Sequence, residues 1–293
     1  MPFHQLVIEL RAEDAGPAET ACFALGALSV SLSDAADHAL LEPRPGETPL
    51  WPAIRLRALY PAETEPRIVA ATLAAVLALP VRGIRLEWLE DRIWEREWLK
   101  HFRPMRFGRR LWVCPGGQQP DGPGALVLEL DPGLAFGSGT HATTAMCLEW
   151  LDARELAGLR VLDYGCGSGI LALAALRLGA RSASAVDIDP QALLAARGNA
   201  ERNRLGDRLL LHDASDALTG TFDLVMANIL EGPLRRLAPE LARLCRPSGS
   251  LLLAGLLDTQ AAAVADAYRP WFDIETAARR DEWTALAGRR RAE

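Results

Sequence analysis

The sequence predicts an α/β protein made of two domains, on three observations. The chain has 293 residues, which is more than one hydrophobic core usually holds. Residues 1–90 alternate between strand-like and helix-like apolar patterns. A glycine-rich turn then joins an apolar strand to an alanine-rich helix at residues 161–178. We therefore expect a small first domain, followed by a doubly wound, Rossmann-like domain.

The first domain, residues 1–90, carries the order β-α-β-β-α-β. This order is typical of a ferredoxin-like α/β sandwich, and the proline-rich, acidic stretch 41–52 is the loop between its middle strands. The domain has no paired carboxylates, no histidine or cysteine cluster and no phosphate loop, so we expect it to dock a partner. The strands are predicted at 4–10, 28–32, 54–60 and 84–89, and the helices at 16–25 and 64–79.

Residues 91–106 are predicted to connect the two domains. Residues 91–101 place Trp94 and Trp98 one helical turn apart among charges, which predicts an amphipathic linker helix. Residues 103–110 follow with a dense arginine cluster. We interpret this cluster as a solvated, partly hydrogen-bonded connection, and RNA binding is the alternative.

The second domain, residues 107–293, is organised around a turn with three closely spaced glycines, Gly165, Gly167 and Gly169. Glycine lets the backbone approach a ligand closely, and the N–H groups of the following helix point towards it. The spacing G-x-G-x-G differs from the dinucleotide fingerprint G-x-G-x-x-G. Asp163 precedes the turn, where a carboxylate repels phosphate and accepts a hydrogen bond from an ammonium. These residues favour a cationic, nucleoside-like ligand over a tight turn that binds nothing.

Polar residues end two further strands of this domain. Asp187 follows strand 181–186, about 20 residues past the glycines, where doubly wound folds place the carboxylate that binds ribose hydroxyls. Asn228 follows the apolar strand 222–227. This succession resembles the Rossmann-like methyltransferases that use S-adenosylmethionine, a cofactor with an ammonium, a sulfonium and an adenosine. The remaining strands are predicted at 209–212, 250–254, 271–275 and 284–287, which makes seven, with Trp271 and Trp283 packed at the edge of the sheet.

A glycine-rich loop, residues 133–144, opens a helix just before the first strand of this sheet. Thr143 is predicted to be the N-cap of that helix. Phe136 is expected to cover the ligand and Thr144 to hydrogen-bond with it. We interpret His141 as a local hydrogen-bonding partner, in preference to a catalytic base.

Five phrases along nearly the whole chain carry a more specific resemblance. They are WEREW (94–98), PMRFG (104–108), DPGLAFGSGTH (131–141), DYGCGSG (163–169) and ANIL (227–230). Together they resemble the family of bacterial ribosomal protein L-eleven methyltransferases. The resemblance implies S-adenosyl-L-methionine as the cofactor, with cofactor-binding residues at Thr144, Gly165, Gly167, Asp187 and Asn228. Ala142 departs from the proline that we expect in that family.

The same resemblance implies a reaction and a substrate. In that family a ferredoxin-like domain recognises the ribosomal protein, a mobile linker helix follows, and amino groups are methylated several times. We therefore expect methyl transfer to lysine side chains, the N-terminal amine or both, on a large-subunit ribosomal protein (L-eleven). Asn228 is the predicted catalytic residue, because its side-chain carbonyl can orient the amine. Ile229 and Leu230 replace the prolines of enzymes that methylate amides or bases, so a flexible amine fits better.

Two alternative functions remain open from the sequence. One is an RNA methyltransferase that acts on ribosomal RNA, and the other is a module that binds the cofactor and transfers nothing. The net charge is −6, and residues 1–90 hold seven arginines against twelve aspartates and glutamates. This balance argues against stable nucleic-acid binding and favours a cationic partner.

Composition and charge pattern predict where the protein is located and the state of its cysteines. Hydrophobic residues make up 49% and charged residues 24%, which is ordinary for a globular protein. The apolar run 68–81 is interrupted and too short to span a membrane, and the early charges argue against a secretory signal. We expect a cytoplasmic monomer that does not bind membranes. The five cysteines show no C-x-x-C pattern, so we expect reduced, mostly buried thiols and no metal.

Overall fold

A computed structural model describes residues 2–36, 50–78, 83–89, 103–118, 120, 124–131, 139–214, 216 and 218–292. The chain divides into two compact units, Met1–Trp94 and Glu95–Glu293, at a point inside the predicted connection. Three sequence-based predictions lie outside the described residues: the linker helix at 91–101, most of the loop at 41–52 and Phe136. None of the described helices is long and apolar enough to cross a membrane.

The first unit contains one four-stranded sheet and two helices. They are β1 Phe3–Arg11, α1 Ala15–Ala24, β2 Ser29–Asp34, β3 Ala53–Pro61, α2 Pro66–Val76 and β4 Ile84–Leu89. All paired strands are antiparallel and their order is β2-β3-β1-β4. This is the order of a ferredoxin-like sandwich, so the predicted fold of this unit is confirmed. Every second residue of β3 is buried, as expected where helices cover one face of a sheet.

The other face of this sheet carries charged side chains. Glu9 accepts hydrogen bonds from Arg55 Nη2 at 3.0 Å and from Arg85 Nη2 at 3.4 Å. The hydrogen bond from Arg55 is the main reason why the pKa of Glu9 lies below its usual value. The acidic charge of this part of the chain is therefore partly compensated on the open face.

The second unit contains the predicted seven-stranded sheet, in the order β10-β9-β8-β11-β12-β14-β13. Its strands are β8 Arg160–Tyr164, β9 Ser182–Asp187, β10 Leu209–Asp213, β11 Phe222–Asn228, β12 Cys245–Leu257, β13 Phe272–Arg280 and β14 Trp283–Arg290. β14 is antiparallel to both neighbours, and the other pairs are parallel. β12 is irregular near its start: Ser248 adopts a left-handed φ of 58°, and the register to β11 shifts between Phe222 and Leu224.

Helices cover both faces of this sheet. They are α3 Ala142–Asp152, α4 Ile170–Arg177, α5 Pro190–Arg202, α6 Glu231–Leu244 and α7 Ala261–Tyr268. Consecutive strand residues enter opposite cores: Val161 packs with α3 and α4, whereas Leu162 packs with α6 and α7. The Rossmann-like architecture predicted from the glycine turn is therefore confirmed.

A small second sheet was not predicted from the sequence. It consists of β5 Met105–Phe107, β6 Leu111–Pro115 and β7 Leu126–Leu130, in that order. The arginines of 103–110 are solvent-exposed and partly hydrogen-bonded, as predicted, but residues 105–107 form a strand of this sheet and are more than a connection. The segment turns around the buried carboxylate of Asp152, which accepts the backbone N–H of Arg109 at 2.5 Å and that of Leu111 at 3.2 Å.

All five cysteines are buried and none forms a disulfide. Cys22 belongs to the first unit, and Cys114, Cys147, Cys166 and Cys245 belong to the second. Burial raises the pKa of each thiol above its ordinary value. These thiols are therefore protonated and shielded at neutral pH.

Candidate active site

A cavity of about 540 Å³ lies where the parallel strands of the second unit end. Open α/β sheets bind ligands at this edge, next to the point where the strand order reverses, which here is between β8 and β11. The volume is in the range of small-molecule sites. The residues that matter to its chemistry are Gly165 and Gly167 after β8, Asp187 and Ile188 at β9, Asn228 at β11, Gly255 in β12, and His141, Thr143 and Trp283.

The glycine turn needs its glycines for both conformation and space. Gly165 has a φ of 80°, and a Cβ at this position would lie 2.2 Å from Ile229 Cγ2. Gly169, the N-cap of α4, has a φ of 78°. The N–H of Gly165 donates to Val186 O at 2.8 Å, which fixes the turn on β9. The turn therefore forms a glycine cradle in which a side chain at position 165 would collide with Ile229.

Asp187 stands at the end of β9, on the wall of the cavity. Its Oδ2 accepts the N–H of Gly167 at 2.8 Å, and its Oδ1 accepts the N–H of Asp189 at 3.0 Å. A carboxylate has about four lone-pair positions, so both oxygens can accept further hydrogen bonds. Ile188, whose surface is 81% exposed, adds an apolar wall beside it that the sequence did not reveal.

The prediction that Asp163 faces the ligand is wrong. Asp163 is only 1% exposed, and its Oδ2 accepts the N–H of Ala172, in the first turn of α4, at 3.0 Å. Its Oδ1 is buried without a hydrogen-bond partner in the described part of the chain. Burial raises the pKa of Asp163 to about 7; the hydrogen bond from Ala172 lowers it, and the charge of Asp187 raises it.

Asn228 and Thr144 form a pair at the end of β11. Asn228 lines the cavity, and its Nδ2 donates to Thr144 Oγ1 at 3.2 Å. Thr144 is 1% exposed and lies behind Asn228, away from the cavity wall. The residue of α3 that does line the cavity is Thr143. The sequence-predicted residues are therefore brought together, with Thr144 as a support for Asn228.

His141 and Trp283 form an aromatic wall of the same cavity. Their rings meet edge to face with centroids 4.8 Å apart. His141, not Thr143, is the N-cap of α3: its Nδ1 accepts the N–H of Thr143 at 3.4 Å and lies 2.7 Å from Thr143 Oγ1. The local hydrogen-bonding role predicted for His141 is confirmed. Trp271 and Trp283 both pack against the hydrophobic cores of the sheet, as predicted, and Trp283 also lines the cavity.

A cavity with a glycine cradle, a strand-end carboxylate and an apolar wall fits a nucleoside with a small charged tail. The fold and the site define a Rossmann-like methyltransferase that uses S-adenosylmethionine. The family model described as "Ribosomal protein L11 methyltransferase (PrmA)" matches residues 2–291. The chain belongs to this family.

Individual relatives agree with this assignment. The ribosomal protein L11 methyltransferase of Hahella chejuensis is 48% identical over 287 residues, covering 97% of this chain and 98% of its own. That of Pseudomonas paraeruginosa is 48% identical over 294 residues and the full length of both chains. The crystal structure of a ribosomal protein L11 methylase from Lactobacillus delbrueckii subsp. bulgaricus is 33% identical. It covers 65% of this chain and 100% of its own, with a TM-score of 0.60.

Proposed function

We propose that the protein transfers methyl groups from S-adenosylmethionine to amino groups of ribosomal protein L11, on lysine side chains, the N-terminal amine or both. The relatives named above carry this substrate in their names. The observation that carries the proposal is the hydrogen bond from Asn228, which lines the cavity at the glycine turn, to Thr144 behind it. An amide held in this way supports a role for Asn228 in orienting the acceptor amine.

In this proposal the second unit binds the cofactor through residues of three strand ends. Gly165 and Gly167 give it close access to the backbone, and Asp187 accepts the ribose hydroxyls while it keeps its bond to the Gly167 N–H. Asn228 borders the same space, and Thr144 contributes through Asn228. The bound cofactor supplies a methyl group on a sulfonium.

Asn228 is the residue that we assign to the acceptor. Its Nδ2 is engaged by Thr144, which leaves the side-chain carbonyl to accept an N–H of the incoming amine. His141 and Trp283 form the wall beside it. An aromatic wall removes water from the amine, which lowers the pKa of the amine and favours its nucleophilic form, so a dedicated base is not needed.

We further propose that residues 1–90 dock the substrate, residues 91–106 connect, and residues 107–293 catalyse. The net negative charge of the first part suits a cationic ribosomal protein. Because the substrate is a ribosomal protein, we place the activity in the cytoplasm, and we expect the protein to act as a monomer without stable nucleic-acid binding.

Mass spectrometry of ribosomal proteins, after incubation with the protein and S-adenosylmethionine, tests the proposal. We expect mass steps of one methylene unit each on L11 alone. Methylation of ribosomal RNA in place of L11 would favour the RNA alternative. Tight cofactor binding without any methylated product would favour the non-catalytic module.

A further inference from the structure

Helix α5 contacts the glycine turn through one buried amide side chain. Asn199 is 1% exposed, and its Nδ2 donates to the backbone carbonyl of Ser168 at 3.0 Å. Its Oδ1 accepts the backbone N–H of Asp131 at 3.0 Å. A single side chain therefore joins the middle of the glycine turn to the residue that follows β7.

Asn203 makes the corresponding contact one helical turn later. Its Oδ1 accepts the N–H of Glu129 at 2.9 Å, and its Nδ2 donates to Glu129 O at 2.6 Å. Helix residues four apart rise by about 6 Å, and strand residues two apart by about 6.6 Å, so the pair matches the strand. β7 is at the edge of its sheet, where outward backbone groups need partners. The two asparagines supply those partners.

Only one of these two asparagines contacts the glycine turn. Asn203 instead accepts a hydrogen bond from Arg177 Nη2 at 2.9 Å. On the turn itself, Asp187 accepts the N–H of Gly167 and Asn199 binds the carbonyl of the next residue, Ser168. Two side chains therefore fix the peptide groups of the turn: Asp187 at the end of β9 and Asn199 in α5.

We propose that Asn199 is a positioning residue for the cofactor. By fixing the Ser168 carbonyl against α5, it keeps Gly165 and Gly167 turned towards the cavity. Loss of this bond removes the link from the Asn199 side chain to the turn and lets the turn rotate, at the expense of cofactor affinity. The inference rests on the proposed function, since it presumes that the turn binds the cofactor.

The test compares two matched asparagines by calorimetry with S-adenosylhomocysteine. Asn199→Ala and Asn203→Ala each remove a buried amide that contacts β7, so both should lower Tm. We expect Asn199→Ala to weaken binding about tenfold and Asn203→Ala to stay within about twofold of wild type. Asn199→Asp keeps the acceptor for Asp131 but loses the donor to Ser168, so it should weaken binding as much as Asn199→Ala.

The results distinguish a failure of the role proposed for Asn199 from a failure of the proposed function. A wild-type protein that does not bind S-adenosylhomocysteine contradicts the proposed function. The inference is overturned if wild type binds normally and Asn199→Ala binds with the affinity of wild type. It is also overturned if Asn203→Ala loses as much affinity as Asn199→Ala. If the alanine variants do not fold, Asn199→Ser and Asn203→Ser decide by the same criterion.

Discussion

The two large sheets of the protein differ in strand direction, and this decides where polar side chains can meet. In the first unit neighbouring strands run in opposite directions, so their carboxyl ends alternate between two edges. In the second unit β8, β9, β11 and β12 run parallel and end at one edge, beside one cavity. Gly165, Asp187 and Asn228 meet there although they are far apart in sequence. Parallel pairing is thus what turns separate strand ends into a site.

Glycine replacement gives the sharpest contrast between the two units. We expect Gly165→Ala to weaken S-adenosylhomocysteine binding more than about 100-fold, because a left-handed φ and a clash with Ile229 add up. Gly26→Ala is the control in the first unit: its φ is 90°, but no atom lies within 4 Å of a Cβ there. Calorimetry should find wild-type affinity for Gly26→Ala. Equal affinity for both variants would contradict the cradle.

Asn228 tests whether a strand end of the second unit orients the acceptor. We expect Asn228→Ala and Asn228→Asp to lower turnover about 100-fold. The added charge of Asn228→Asp raises the pKa of the acceptor amine, so its rate-versus-pH profile should move to higher pH. Thr144→Val, which removes the hydroxyl behind Asn228, should give a smaller loss. A rate and pH profile that both return to wild type at saturating cofactor would show that Asn228 only binds the donor.

We expect the carboxylate of Asp187, at the end of β9, to contribute to cofactor affinity and not to the orientation of the acceptor. Asp187→Ala is expected to weaken cofactor binding by about 1.5–3 kcal/mol, the usual loss for hydrogen bonds to a charged group. Asp189→Ala is the matched control, because Asp189 caps α5 through the N–H of Gln191 and does not line the cavity. An unchanged dissociation constant in Asp187→Ala would place the ribose contact elsewhere.

Separating the units tests their division of labour. A fragment of residues 103–293 should bind S-adenosylhomocysteine normally and lose at least about tenfold in kcat/KM on intact L11, because docking energy is gone. The start at 103 keeps β5 on its partner β6, whereas a start at 107 would remove most of it. A fragment that methylates L11 at the full-length rate would show that the first unit does not dock the substrate.

Buried and exposed carboxylates should respond to pH in opposite ways. The pKa of Asp163 is raised to about 7, so the folded state keeps a proton that the unfolded state releases above about pH 4. The associated stability is therefore lost as pH rises towards 7. Asp163→Asn stays neutral at every pH. Between pH 5 and pH 8 the Tm of wild type should therefore fall relative to the Tm of Asp163→Asn, by about 2–4 °C for each kcal/mol of unfolding free energy that is lost.

Glu9 of the first unit supplies the control for this pH experiment. Its pKa is lowered by Arg55, so its contribution is lost only as pH falls below about 4. Glu9→Gln should therefore run parallel to wild type between pH 5 and pH 8. Parallel Tm curves for Asp163→Asn and wild type would contradict a raised pKa for Asp163.

Sequence reasoning recovered the elements whose signal is local. Short apolar segments predicted the strands of both large sheets, and three close glycines marked the turn, because both signals depend on neighbours in sequence. The small sheet was missed, since β5 has only three residues and the turn between β5 and β6 is held by Asp152, which is distant in sequence. Asp163 was misplaced, and the contact of Trp283 with the cavity was missed, for a related reason: tertiary packing decides which of two sides a strand residue faces.

The burial of every cysteine has a practical consequence for watching this molecule open. A thiol reagent reacts with an exposed thiolate, so each cysteine is modified only after its surroundings unfold. One modification on Cys22 reports the first unit, and four others report the second. The number of labels in the intact mass of a briefly labelled sample therefore shows which unit has unfolded. The natural cysteines report the local unfolding of each unit separately, without any substitution.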